Sequence, residues 1–248
     1  MTGCGFSSGL YKDIIKAQDL ITERKFKKAV NVYESILLKK PSKNIQIKIK
    51  FQLGEIYSIY LNDYSNSLRN YNSIVFDSNE PVWQVKSLEK MGNIYYENLN
   101  DFKKAKMSYY KLINFIPVLE GQSFYKFRYA LSVFQLKNYT EAIGAFNEII
   151  AGEKTVSSVQ SYYYLGLAYF YKQDWINANK NWFEYLKRET RKDRIVKTKF
   201  LIANAYESSE KLKEAYNIYY SILGEYPNPK VIKNRLNSLY KRRIARKR

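Results

Sequence analysis

Proton transfer, metal ligation and nucleophilic attack most often draw on histidine or cysteine. This sequence of 248 residues holds no His and a single Cys, at position 4. The usual general base is therefore missing, as is the usual partner of a Ser or Cys nucleophile. An internal disulfide and a Cys-rich zinc site are excluded as well. No G-x-x-x-x-G-K-[ST] pattern is present to cradle a phosphate. Paired carboxylates remain, but Asp and Glu total only 23 and mostly fall at helix-surface positions. The expectation is a protein that is not an enzyme and takes no cofactor or metal. The one dense charged run is the end of the chain: Lys241, Arg242 and Arg243, then Arg246, Lys247 and Arg248. Such a run attracts anionic lipid or nucleic acid. In a chain of net charge +19 it also reads as a solvated tail, since charge alone gives only salt-sensitive, nonspecific binding.

The elements that would position any site announce themselves by repetition. A small residue, preceded three positions earlier by an aromatic or Leu, opens a helix with large apolar residues four and seven positions on. The pattern occurs at Phe26-Ala29-Tyr33-Ile36, Tyr64-Ser67-Tyr71-Ile74 and Phe102-Ala105-Tyr109-Leu112. It returns at Tyr139-Ala142-Phe146-Ile149, Trp175-Ala178-Trp182-Tyr185 and Leu212-Ala215-Tyr219-Ile222. A second series of small residues lies upstream: Ala17, Gly54, Gly92, Ala130, Gly166 and Ala203. Both series recur every 36 to 38 positions. Two registers with one period mean one two-helix unit copied along the chain. An aromatic content of 17% supplies packing area, and 10 Gly with 5 Pro leave little room for long loops. Asn100-Asp101 and Gln173-Asp174 are placed to turn the chain and cap the next helix. Pro41, Pro117 and Pro227 each follow a second helix that they cannot continue. No apolar run reaches the roughly 18 residues needed to span a bilayer.

These residues resemble the tetratricopeptide repeat (TPR) family: a small residue after Leu, then Tyr, then Ala, an aromatic and a closing Pro. The resemblance covers about residues 10–228. It implies an all-α, right-handed α-solenoid of six helix pairs, about 10–43, 44–81, 82–119, 120–156, 157–193 and 194–228. The period is longer than the common 34 residues, and the extra residues are expected to lengthen turns within or between units. Residues 1–9 read as a flexible tether. Residues 229–248 read as a capping helix and basic tail, with Val231, Ile232, Leu236, Leu239 and Tyr240 at helical spacing.

In this family the first helices of the units line a concave groove. The resemblance places Phe124, Phe127, Leu131 and Phe134 there in the fourth unit, with Gln135. The fifth contributes Gln160, Tyr163, Leu167, Phe170 and Tyr171, and the sixth Lys197, Phe200, Asn204, Glu207 and Ser208. The implied function is a scaffold that takes a protein or peptide partner on aromatic anchors. Packing of the same rings against the next unit is the competing reading. Ile14 and Gln18 occupy positions where the family's chaperone-tail clamp needs Lys and Asn, so that activity is not expected.

Met1-Thr2-Gly3-Cys4-Gly5 resembles the end of a bacterial lipobox, which makes Cys4 a lipidation candidate. The charged and apolar parts of a signal peptide do not precede it. With an upstream signal segment, the chain would be a lipoprotein on the periplasmic face of the outer membrane. It would then be similar to the assembly lipoprotein of the β-barrel insertion machinery. Without one it would stay in the cytoplasm. The rival functions are a basic adaptor that binds nucleic acid or anionic membrane through its tail, and a cell-envelope accessory that binds a polymer. The sequence does not fix the oligomeric state.

Overall fold

A computed structural model describes residues 4–152 and 154–245, with side chains from Gly9 onward. Thirteen α-helices and no strand occur among the described residues. The chain divides into two compact units, Met1–Pro117 and Val118–Arg248. The first holds α1 (Cys4–Thr22), α2 (Phe26–Leu38), α3 (Lys43–Glu55), α4 (Tyr64–Asp77), α5 (Pro81–Asn93) and α6 (Phe102–Ile113). The second holds α7 (Gln122–Gln135), α8 (Tyr139–Ala151), α9 (Val156–Tyr171), α10 (Trp175–Leu186), α11 (Lys192–Ser208), α12 (Leu212–Ser221) and α13 (Pro229–Ala245). Odd and even helices pair as the two registers require. Helix α1 begins at Cys4, so residues 4–9 are helical and not the flexible tether expected from their Gly and Ser content.

Each pair closes on one device. The small residue of the first helix faces the large aromatic of the second. A β-carbon on Gly54 would lie 2.6 Å from Cε1 of Tyr71, and one on Gly92 would lie 2.9 Å from Cζ of Tyr109. Tyr33, Tyr71, Tyr109, Phe146, Trp182 and Tyr219 are all buried, as are the small residues of the second helices. An alternation of small and large residues at the contact lets the backbones approach while the ring fills the space between them.

The six turns within the pairs are also copies of one another. Arg24, Asn62, Asn100, Lys137, Gln173 and Glu210 all have positive φ, and each ends a first helix in the left-handed conformation. The next residue starts the second helix. At Asp63, Asp101, Asn138 and Asp174 its side chain accepts from the backbone N–H three residues on, which satisfies one of the helix's orphan donors.

The second and third units carry one extra residue, and it does not lengthen the turn. It is absorbed in a π-helical turn at the end of the first helix, Ile56–Tyr60 and Ile94–Asn98. The closing backbone bond spans six residues there, Asp63 N–H to the Tyr57 carbonyl and Asp101 to Tyr95. It spans five in the others, as in Asp174 to Tyr169. Ser67, the one departure from Ala, donates to the Gly54 carbonyl at 2.7 Å, beside the widened turn.

The three prolines follow the ends of α2, α6 and α12. Helix α13 closes the second unit by burying Ile232, Leu236 and Leu239 against Tyr219 and Ile222. Tyr240, grouped with these by its spacing, is instead 57% exposed.

Candidate functional site

The proposed anchors all lie on α7, α9 and α11 of the second unit, and packing has claimed part of them. Phe127 and Leu131 are each 6% exposed, which corrects the expectation that they reach a partner. The Phe127 ring sits 6.0 Å from Phe146 of α8 and 5.8 Å from Tyr164 of α9, so it fills the joint between consecutive pairs. Phe134 is half-buried among Tyr139, Tyr164 and Tyr171. The rings of α7 and α9 do meet, but the residue that joins them is Tyr164, which also stacks on Phe146 at 5.7 Å. Tyr164 lies two positions before Gly166, off the stripe that the groove rule selects, and so escaped the sequence reading.

The remaining positions are only partly covered. Phe170 packs edge-on against Trp175 and lies beside Trp182, and Leu167 joins the same cluster. Phe200 stacks on Tyr226 at 4.7 Å. Asn204 accepts from the Tyr219 hydroxyl at 2.6 Å. Phe124 and Tyr171 stay open, 50% and 56% exposed, with Tyr171 stacked on Tyr139 at 5.1 Å.

Two cavities lie along α11, the first against α9 and the second between the end of α9 and α13. The first, of about 380 Å³, is walled by Tyr163, Tyr164, Tyr185 and Gln160, with Asp193, Arg194 and Lys197 opposite. The second, of about 420 Å³, is lined by Phe170, Asn204, Glu207 and Ser208, with Arg235 and Arg242 of α13 at its edge. Gln160, Tyr163, Phe170, Lys197, Asn204, Glu207 and Ser208 were all placed on the groove face by the repeat register, and the structure brings them together here.

Glu189 lies behind the first cavity and holds two residues that line it, Tyr185 and Arg194. Its buried carboxylate accepts from the Tyr185 hydroxyl, from the Arg191 guanidinium at 2.8 and 3.0 Å and from the Thr190 and Arg191 backbone N–H groups. Arg194 approaches to 3.8 Å. The Arg191 bonds above all hold the carboxyl far below the usual carboxylate range. Burial, then the bond to Glu189, pushes the Tyr185 phenol up to about 12. Burial likewise raises the Tyr163 phenol. Both rings are thus neutral near pH 7 and offer an apolar face; the Tyr185 hydroxyl proton is already given to Glu189. Lys197 is exposed. The site can take an apolar or aromatic group against the tyrosines and a polar group of mixed charge against Asp193, Arg194 and Lys197.

Elsewhere, Lys50, Ser73 and Asp77 form a cluster the sequence did not reveal. The Lys50 ammonium donates to the Ser73 hydroxyl, which donates to Asp77 at 2.8 Å. Paired with Asp77 at 3.4 Å, the ammonium has only donors to offer and cannot take the serine proton. No group of three His, Cys, Asp or Glu side chains converges among the described residues. In the basic tail, Arg242 is tied to Glu207 at 3.1 Å and Glu210 at 2.8 Å. Arg243 lies over the Tyr216 ring, and Lys241 is exposed. Arg246, Lys247 and Arg248 lie outside the described residues, as does the Cys4 side chain.

No protein-family model matches the sequence, and no curated protein matches it either. Solved structures do match. A tetratricopeptide repeat protein from Parabacteroides merdae superposes with a TM-score of 0.61 at 18% identity, over 95% of this chain and 92% of that one. The chain has the tetratricopeptide-repeat fold. MamA matches with a TM-score of 0.59 at 21% identity, covering 72% of this chain and 90% of its own. PilW, a widely conserved type IV pilus biogenesis factor, gives 0.58 at 12% identity, covering 93% and 98%. No helix among the described residues is long and apolar enough to cross a membrane. In TPR terms, the first cavity lies between the first helices of the fifth and sixth repeats.

Proposed function

We propose that this protein is a non-enzymatic scaffold that captures a segment of a protein partner along α9 and α11. The observation that carries this reading is the first cavity, in which neutral tyrosines face Arg194 and Lys197 across about 380 Å³. A pocket walled by apolar and aromatic groups with a few convergent polar ones is the usual form of a binding site. Phe170 and Tyr171 extend the surface toward the end of α9. The buried Phe127 and Leu131 act as support for this face.

The test is a peptide selected from a random display library against the full chain. Its affinity should fall at least tenfold in Tyr163→Ala and Lys197→Ala, since a few anchors dominate interface energy. It should be unchanged in Lys180→Ala and Lys213→Ala, on the second helices. Equal losses in both sets would remove the reading.

The Met1–Gly5 sequence supports anchoring of this scaffold to an outer membrane through lipid on Cys4. Labelled palmitate should then enter the chain expressed with its native upstream sequence in a bacterium, and Cys4→Ala should abolish the label. No label on the wild type would place the scaffold elsewhere.

A further inference from the structure

Helix α13 does more than close the stack. Its cations fall into two sets. Arg235 and Arg242 point back to the fold and pair with Glu207 at 3.5 and 3.1 Å, and Arg243 turns inward over the Tyr216 ring. Lys230, Lys233 and Lys241 are exposed and make no ion pair among the described residues. With Asn237 and Ile244, these three lysines stand three, seven, eleven and fourteen places from the first, a spacing that keeps them on one helical face. That face is opposite Ile232, Leu236 and Leu239, which are buried. Ile244 is 40% exposed, and Tyr240 at the edge of the stripe is 57% exposed.

We propose that the outward face of α13 docks the protein on an anionic lipid surface. The stripe is about 21 Å long at 1.5 Å per residue. Packing of the inner face fixes the helix, so only this one side can be offered. A straight row of unpaired lysines complements a plane of negative headgroups. The isoleucine and tyrosine at one end give the apolar insertion that an interfacial helix uses. Arg246, Lys247 and Arg248 continue the basic sequence from that same end. A nucleic acid would fit less well. Tyr240 is a single ring at the edge of the stripe, where a single strand calls for a row of stacking aromatics, and the stripe carries no arginine to pair with base edges.

The test uses the full chain and co-sedimentation with vesicles of phosphatidylcholine, with and without phosphatidylglycerol. Partitioning should require phosphatidylglycerol and weaken as salt is raised. Each lysine near such a surface is worth roughly fivefold, so K230E/K233E/K241E should lose about a hundredfold or more. The control K27E/K48E/K103E, with the same change of charge on exposed positions of the first unit, should lose only a few-fold. Ile244→Ser should lose binding that high salt does not remove. If the triple glutamate variant melts early, K230Q/K233Q/K241Q replaces it. Equal losses in the two triple variants would overturn the proposal, because diffuse charge would then explain binding. So would wild-type partitioning that ignores phosphatidylglycerol, or tighter binding to duplex DNA than to the vesicles at the same salt.

Discussion

The β-carbon that Gly166 lacks would fall well inside van der Waals contact distance of Trp182 Nε1, the nitrogen that donates to the Tyr163 carbonyl at 3.1 Å. One glycine thus sets how close α9 and α10 come. It also fixes the indole that holds the backbone of a residue lining the first cavity. Packing and site are coupled at this point.

Gly166→Leu and Gly92→Leu should each destabilise the fold by at least ~1–3 kcal/mol, the usual cost of overpacking. In a repeat array the damage spreads to neighbouring repeats through their interfaces. Denaturant melts of both variants check this. Unchanged midpoints would show that these glycines are not contact points.

The π-helical turn at Ile56–Tyr60 makes a register prediction. Deleting Ile59 sets the separation of Gly54 and Ser67 to that of Gly166 and Ala178. The deletion should convert the turn to an ordinary α-helical end and leave a cooperative fold. Deleting Lys50, inside α3, rotates every later side chain of that helix by about 100° and should abolish cooperative melting. Similar melts for the two deletions would refute the view that the extra residue is housed in the π turn.

The pairing of helices was legible in the sequence because one physical requirement, a small residue opposite a large ring, is printed six times. Turns were legible at Asn100-Asp101 and Gln173-Asp174, where capping residues stand in place. The π turns were not, because the pattern shows that a residue is added but not which hydrogen bond stretches to hold it. The site was legible only in outline. The register put Tyr163, Phe170 and Lys197 on the right face. It could not say that Phe127 would be consumed by Phe146 and Tyr164, since burial depends on how neighbouring pairs nest. Glu189 was invisible for a related reason. It lies in the link between α10 and α11, where no periodicity marks it, and its role comes from the convergence of Tyr185, Arg191 and Arg194.

Glu189 should make stability depend on pH in acid. Its folded carboxyl titrates well below the unfolded value, chiefly because of Arg191. Its contribution is therefore fully present above the unfolded pKa of roughly 4.3 and is lost as pH falls toward the folded value. Glu189→Gln should be less stable than wild type at pH 7 by about 1–3 kcal/mol, the cost of leaving buried polar partners unsatisfied. The gap should narrow below about pH 4. Chemical denaturation at a series of pH values reads this directly, and a gap independent of pH would rule out the ionised carboxylate as its source.

Exposed and buried rings should separate by their effects. Phe127→Ala should cost about 3–5 kcal/mol of stability, as large core truncations do. Tyr171→Ala should change stability little and weaken a selected peptide. If Phe127→Ala melts as wild type does, the assignment of that ring to the core is wrong.

The central claim is that α9 and α11 form the partner-binding face, and hydrogen exchange tests it most directly. The full chain would be compared with and without a selected peptide at saturating concentration. The account predicts added protection over residues 156–171 and 192–208, with little change over α10 and α12. Protection confined to α10, α12 or the outer face of α13, with α9 and α11 unchanged, would contradict it.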